Sequence, residues 1–430
     1  MLGPSSGQSR TPQLDNLITN TFYTALDIKN DKSRSDTFFT GRGGDFQGAT
    51  IINGDEGWNL NYRANSYGVA QNADIYAIAG GSMRLNDAIL AYELYKAKDK
   101  SKHLGDAEYM NRPHVKIQFP FPSSPDLTLY IDTETYLISR MVRTNPQLGQ
   151  LDYVFSNMTE ADGIPYAEKT DFFIAGLPNL ISTRNRSEFN VSIPASEFEI
   201  PAGMAEESDR IDTSEMGATR ITDSIYHVGQ GGGFSLFVNT SDGIVAAGGY
   251  PGLKDRLARF RSESGNYKPL RYQIVTHHHQ DHLGGLNEAI DLGATLITVE
   301  DNVTAIKDFV ANAEDASFLQ VSKRLTIGDG KNRVEIYDVA TIHAAHFLVT
   351  YVPAEKLLFI ADHMNSPYKR GIPTANLNTL TMLSALKELG LDIRKIAIAH
   401  GARMFTMKDM QASVDAYRPG GCLADRPVCM

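Results

Sequence analysis

Val275-Thr276-His277-His278-His279-Gln280-Asp281-His282-Leu283-Gly284-Gly285 is the stretch on which the fold reading turns. It begins at the end of a short apolar run, Gln273-Ile274-Val275, that reads as a β-strand. Leaving a strand, alternate residues point the same way, so His277 and His279 can hold one metal ion between them. Asp281 and His282 then face a second position as the chain turns. Gly284 and Gly285 relieve crowding where the backbone passes close and a helix begins. Imidazole and carboxylate suit Zn, Fe or Mn, and no thiolate belongs to the pattern. His278, alternating away from its neighbours, reads as structural.

Three further segments extend the pattern: Thr341-Ile342-His343-Ala344-Ala345-His346, Phe359-Ile360-Ala361-Asp362-His363, and Ile398-Ala399-His400-Gly401. Each follows an apolar run, and eight of the eleven histidines fall from His277 to His400. A single histidine after a strand is ordinarily a hydrogen-bonded loop residue. Three such segments in order behind an HxHxDH run are hard to ascribe to chance. Short strands recur around them at Ser235–Val238, Ile244–Ala247, Thr295–Val299, Val334–Val339, Phe347–Val352, Leu357–Ala361 and Lys395–Ala399. A leucine stripe over Leu377–Leu389, closed by Gly390, reads as a helix with a glycine C-cap. Strands mixed with helices imply an α/β layered domain.

The run Thr276-His277-x-His279-x-Asp281-His282-x-Gly284-Gly285 resembles the signature of the metallo-β-lactamase superfamily, and the resemblance spans roughly residues 220–410. It implies an αββα sandwich with the metal site along one edge. It also implies His277, His279 and His343 as ligands of a first metal, and Asp281, His282 and His400 as ligands of a second. Asp362 would bridge the two. The spacing this ligand keeps from the proline of the next strand–turn fits His343 to Pro353 and is too short from His346. His346 is then expected near the ligands or facing substrate, and His363 as a buried, hydrogen-bonded residue. Two divalent ions are implied, Zn2+ first, with Fe or Mn as alternatives. A hydroxide shared between them would attack an ester, lactone, thioester or amide, β-lactams included. Asp281 and His346 are the candidate catalytic side chains, Asp281 orienting the nucleophile's proton and His346 serving the leaving group. A phosphodiesterase of the same fold and a non-catalytic, metal-stabilised binding protein are the alternatives. One departure bears on the site. Many members carry an aspartate after the second strand, supporting the metal loop, whereas this chain reads Ala247-Gly248-Gly249-Tyr250-Pro251. Another is that no cysteine stands among the second-metal ligands, unlike the best-known zinc β-lactamases.

The 430-residue length exceeds what one core usually serves. A polar stretch from Gly203 to Gly217 without apolar periodicity reads as a linker. The expected organisation is a mainly antiparallel β domain over 1–205, a linker over 206–218 and the metal-binding domain over 219–430. In the first half, β-branched and aromatic runs are punctuated by turns such as Asp162-Gly163-Ile164-Pro165. One helix is expected over 83–98, capped by Ser82. The order of these pieces resembles bacterial lipoprotein-carrier half-barrels, in which a curved sheet wraps a helix. The other reading is an extension that shapes the cleft or a homodimer.

A net charge of -10 without a Lys/Arg stripe argues against nucleic acid as partner but says little about the substrate, which is expected to be a small molecule. No apolar run is long enough to span a bilayer. The first residues lack a basic and apolar leader, so no signal peptide is read there. Cys422 and Cys429 could close a terminal loop, which would favour a periplasmic or secreted location over the cytoplasm, or remain two thiols.

Overall fold

The computed structural model describes residues 2–3, 18–41, 44–145, 148–182, 185–207, 210–417, 422 and 425–429. From Gly217 onward the chain builds two sheets. The first runs β1 (Gly217–Thr222), β2 (Ile225–Gln230), β3 (Gly233–Asn239), β4 (Ile244–Ala247), β5 (Leu270–Ile274), β6 (Thr295–Thr298) and β7 (Phe318–Gln320), side by side in that order. The second runs β8 (Arg324–Ile327), β9 (Val334–Val339), β10 (Phe347–Val352), β11 (Leu357–Ile360) and β12 (Lys395–Ile398). Each begins as an antiparallel meander and ends in parallel pairs, from β4 onward in the first and at β11–β12 in the second. Parallel neighbours need long crossovers, and helices supply them.

In the N-terminal half lie α1 (Ile75–Met83) and α2 (Asp87–Lys96). The crossovers of the first sheet are α3 (Leu253–Ser264), the short pair α4 (Gln280–Leu283) and α5 (Leu286–Asp291), and α6 (Val303–Phe309). The second sheet has α7 (Leu377–Leu389), followed after β12 by α8 (Met407–Ala416). Ile225, Leu236, Val238, Val245 and Ile274 of the first sheet face Ile336, Val349, Phe359 and Ile396 of the second across one core. The opposite face of the first sheet, through Tyr226, Val228, Phe237 and Ala246, packs on Leu253, Leu257 and Phe260 of α3. Phe237 and Phe260 stack at 5.2 Å, and burying each ring is worth about 1.5–3 kcal/mol. Met382, Leu383 and Leu386 of α7 join the second sheet's core. The layers are therefore helix, sheet, sheet, helix. The expected glycine C-cap of α7 is present, Gly390 ending the helix at φ 63°, and at its other end Asn376 and Thr379 form a capping box that was not expected.

The first half forms one 14-stranded sheet, antiparallel except where Ala205–Glu206 pairs in parallel with Ser66–Val69 at its edge. The turn between Gly149–Ala161 and Ile164–Ile174 is Asp162-Gly163, with both residues at positive φ (53° and 76°) as a type I′ hairpin turn requires. Two helices, not one, pack on this sheet. Ser82 lies inside α1, and the cap of α2 is Asn86, whose side chain accepts from Ile89 N at 3.1 Å. Ile75, Ala79, Met83 and Leu90 of the pair meet Phe119, Leu127, Leu129 and Met141 of the sheet.

The sheets change between Glu206 and Gly217, so the expected linker is partly strand at both ends; Ser208 and Asp209 lie outside the described residues. The two halves touch through Ile211 N to Pro367 O (2.7 Å), Arg210 Nη1 to Val69 O (3.1 Å) and the Tyr368 ring above Gly68. The C-terminal tail crosses back to the N-terminal half of the chain. Cys422 and Cys429 form a disulfide, Val428 is buried, and Arg426 reaches both Asp36 and Glu197. Among the described residues no helix is long and apolar enough to cross a membrane.

Candidate metal centre

The four histidine and aspartate segments leave β5, β9, β11 and β12 at one edge of the sandwich. His277, His279 and His282 follow β5, which is buried in the first sheet, and Leu348 N binds Thr276 O at 2.7 Å to tie this loop to β10. His343 follows β9, Asp362 follows β11 and His400 follows β12. Asp362 stands at φ 56°, the left-handed region, and His363 N closes a tight turn around it onto Ala361 O at 2.6 Å. The side chain of His363 completes the clamp. Its Nδ1 lies 2.6 Å from Ala361 O and its Nε2 3.1 Å from Thr341 Oγ1.

The Asp362 carboxylate divides the site. Oδ2 lies 2.8 Å from His277 Nε2, 2.7 Å from His343 Nε2 and 3.8 Å from His279 Nδ1. Oδ1 lies 2.9 Å from His282 Nε2 and also contacts His400 Nε2. Within each half the imidazole nitrogens converge: His343 Nε2 to His277 Nε2 is 3.1 Å, and His400 Nε2 to His282 Nε2 is 3.2 Å. Asp281 Oδ2 completes the second group, 3.5 Å from His282 Nε2 and 3.6 Å from His400 Nε2. Two sets result, His277–His279–His343–Asp362 and Asp281–His282–Asp362–His400, each with ligand atoms within 4.8 Å of one another.

Each set offers donors that could hold a metal ion. Five neutral-capable imidazoles and two carboxylates are an N/O set of the kind Zn, Fe and Mn take. Asp281 Oδ1 and His282 Nδ1 are buried without a protein hydrogen-bond partner. Burial, with His279 and His343 as neighbours, depresses His277 well below the ordinary imidazole value and brings His279 to about 4. Both therefore present lone pairs at neutral pH. At His282 burial opposes charge, but the Asp362 and Asp281 carboxylates outweigh it and push the value up to about 9. Burial alone would raise Asp362, yet His282, His277 and His400 hold it well below the usual carboxylate range.

His346 stands outside both sets. Its Nδ1 bonds Asp338 Oδ2 at 2.7 Å and its Nε2 lies 3.3 Å from Asp301 Oδ2. His278 is buried beside the His277 and His279 rings. Three supporting residues carry no signal in the sequence. His227 Nε2 donates to Ile398 O at 2.8 Å, pinning β2 across the sandwich to the end of β12, two residues before His400. Asn378 Nδ2 lies 3.3 Å from His343 Nδ1. Tyr250 Oη lies 3.0 Å from His400 Nδ1 and 3.2 Å from Asp281 Oδ2, in the stretch where the aspartate typical of the resemblance is missing.

No protein-family profile matches the chain, and no curated protein does. Among solved structures the chain is similar to a metallo-beta-lactamase from Pontibacter korlensis, with 18% identity, TM-score 0.37 and coverage of 47% of this chain and 98% of that one. It is also similar to the DIM-1 metallo-beta-lactamase (15% identity, TM-score 0.37, 47% and 96% covered). A third is a metallo beta lactamase from Hirschia baltica (15% identity, TM-score 0.36, 48% and 99% covered).

Proposed function

We propose that this protein is a dinuclear metal-dependent hydrolase acting on a carbonyl-type bond, whether ester, lactone, thioester or amide. The observation that carries the reading is the divided Asp362 carboxylate, with one oxygen turned to each histidine group. On this reading His277, His279 and His343 hold one ion, Asp281, His282 and His400 hold the other, and Asp362 joins both. Bound divalent ions supply Lewis acidity and bring the pKa of water down from ~15.7 toward about 7. The chain supplies the rest. Burial of His277, His279 and His282 keeps bulk water from the ligand nitrogens. The partly exposed Asp281 carboxylate can accept and orient a proton at the open side of the second group. His346 serves as proton donor to the leaving group if Nε2 exchanges the exposed Asp301 for that group, with Asp338 holding Nδ1.

The test is metal content by plasma mass spectrometry together with turnover of a lactone, a p-nitrophenyl ester, a phosphodiester and a cephalosporin. Two ions per chain and hydrolysis of a carbonyl substrate are expected, with turnover abolished and the circular dichroism spectrum kept in Asp362→Ala. Turnover of the phosphodiester alone would move the reading to a phosphodiesterase. Full activity in the metal-free, folded protein would sink it.

A further inference from the structure

Tyr250 is built into the second ligand group. Its ring stands edge-on to His282 (5.5 Å, 90°) and to His400 (5.3 Å, 87°), and its hydroxyl touches His400 Nδ1 and Asp281 Oδ2. The seat is prepared on three sides. A β-carbon at Gly233 would come within 2.6 Å of the ring, so only glycine leaves the space. Arg256, buried and 3% exposed, grips the backbone: Nη2 donates to Tyr250 O, Nη1 to Pro251 O at 2.8 Å and Nε to Ser235 Oγ at 3.0 Å. Gly285 N binds Gly249 O at 2.7 Å, locking the corner before Tyr250 to the turn after His282.

A phenol has one proton, which fixes the direction of the chain of hydrogen bonds. An ionised Asp281 only accepts, so the Tyr250 proton goes to Asp281 Oδ2. The phenol oxygen is then left to accept, and His400 must carry its proton on Nδ1. His400 Nε2 is thereby a bare lone pair, and it is Nε2 that faces Asp362 and His282. We propose that Tyr250 is the positioning residue of the second metal site, setting the His400 tautomer and the Asp281 rotamer through one hydroxyl. The assignment rests on the two-metal reading above. It gives the site a phenol where a carboxylate would otherwise orient the ligands.

The test is Tyr250→Phe, which keeps the ring and removes the hydroxyl. Stepwise Zn2+ affinities are read by competition with a chromophoric chelator, and stoichiometry by mass spectrometry after dialysis. The first ion should keep its affinity, and the second should weaken by ~10–100-fold. In a His400→Ala background, adding Tyr250→Phe should leave the remaining ion's affinity unchanged. Wild-type affinity for both ions in Tyr250→Phe, or an equal loss at both sites, would overturn the proposal. So would a further loss in the His400→Ala background, which would mark the tyrosine as a general support. A wild-type protein that takes up no second ion would instead refute the two-metal reading on which it depends.

Discussion

Replacing Arg426 by Met should destabilise the N-terminal sheet by roughly 3 kcal/mol, the low end of the cost of breaking a buried ion pair. Asp36 is fully buried and receives two guanidinium groups, Arg34 at 2.8 and 3.1 Å and Arg426 at 2.7 and 3.2 Å. Arg426 also reaches both oxygens of Glu197, at 3.1 and 2.7 Å. In Arg426→Met, Asp36 keeps Arg34 and Glu197 keeps only the longer 3.9 Å ion pair with Arg34 Nε, which is why the low end applies. Methionine preserves an apolar stem beside the Tyr23 ring, over which the guanidinium now lies at 5.4 Å. Trp58 is the sole tryptophan, lies in the strand Glu56–Asn61 and packs on the small core of Ile51, Leu60 and Phe198, so its emission reports on this end. Urea unfolding followed by Trp58 fluorescence should show an earlier midpoint with unchanged slope, and metal content should stay at the wild-type value. An unfolding free energy within about 0.5 kcal/mol of wild type, the scatter expected for neutral surface changes, would refute the reasoning.

Four other outcomes follow from the structure. Cys422→Ser opens a loop whose ends are seven residues apart, and chain entropy for so short a loop gives about 2.5 kcal/mol of lost stability, read as a lower melting temperature that dithiothreitol reproduces in the wild type. His346→Ala should leave metal content at the wild-type value, since the side chain belongs to neither His/Asp set, and should lower kcat. The metal-free protein carries His282 raised from 6.5 to about 9, so that residue stabilises the fold below about pH 6.5 and loses its contribution as pH climbs through 9. For the same reason ion loading at pH 7.5 should release about one proton from His282, measurable by calorimetry in buffers of different ionisation enthalpy.

The HxHxDH run and its three partner segments were legible because ligand chemistry is local: residue type and strand-end position carry it. Most strands of the sandwich and the whole of α7 were legible for the same reason, since apolar period and capping residues are short-range signals. The N-terminal helices were not. Gly80 and Gly81 lower helix propensity in α1, and tertiary packing overrides it, with Ala79 and Met83 buried against the sheet. Ser82 therefore looked like a helix start when Asn86 is the cap. Tyr250 could not be found from spacing, because its partners lie 31 and 150 residues away and meet only in the folded chain. The disulfide was open in the sequence and closes where the tail returns to the N-terminal sheet, with Cys422 and Cys429 Cα atoms 5.5 Å apart.

The left-handed backbone at Asp362 has a consequence for how the centre is filled. A non-glycine residue at φ 56° costs on the order of 1–3 kcal/mol, and buried neighbours must hold it there. His363, wedged between Ala361 O and Thr341 Oγ1, supplies protein contacts that do so. The carboxylate is thus aimed by the main chain, and its ordering entropy is spent during folding. Preorganisation of this kind makes cation exchange a matter of ligand protonation rather than loop movement. Apo and loaded backbones should superpose at this turn, and uptake rates should follow pH more closely than temperature.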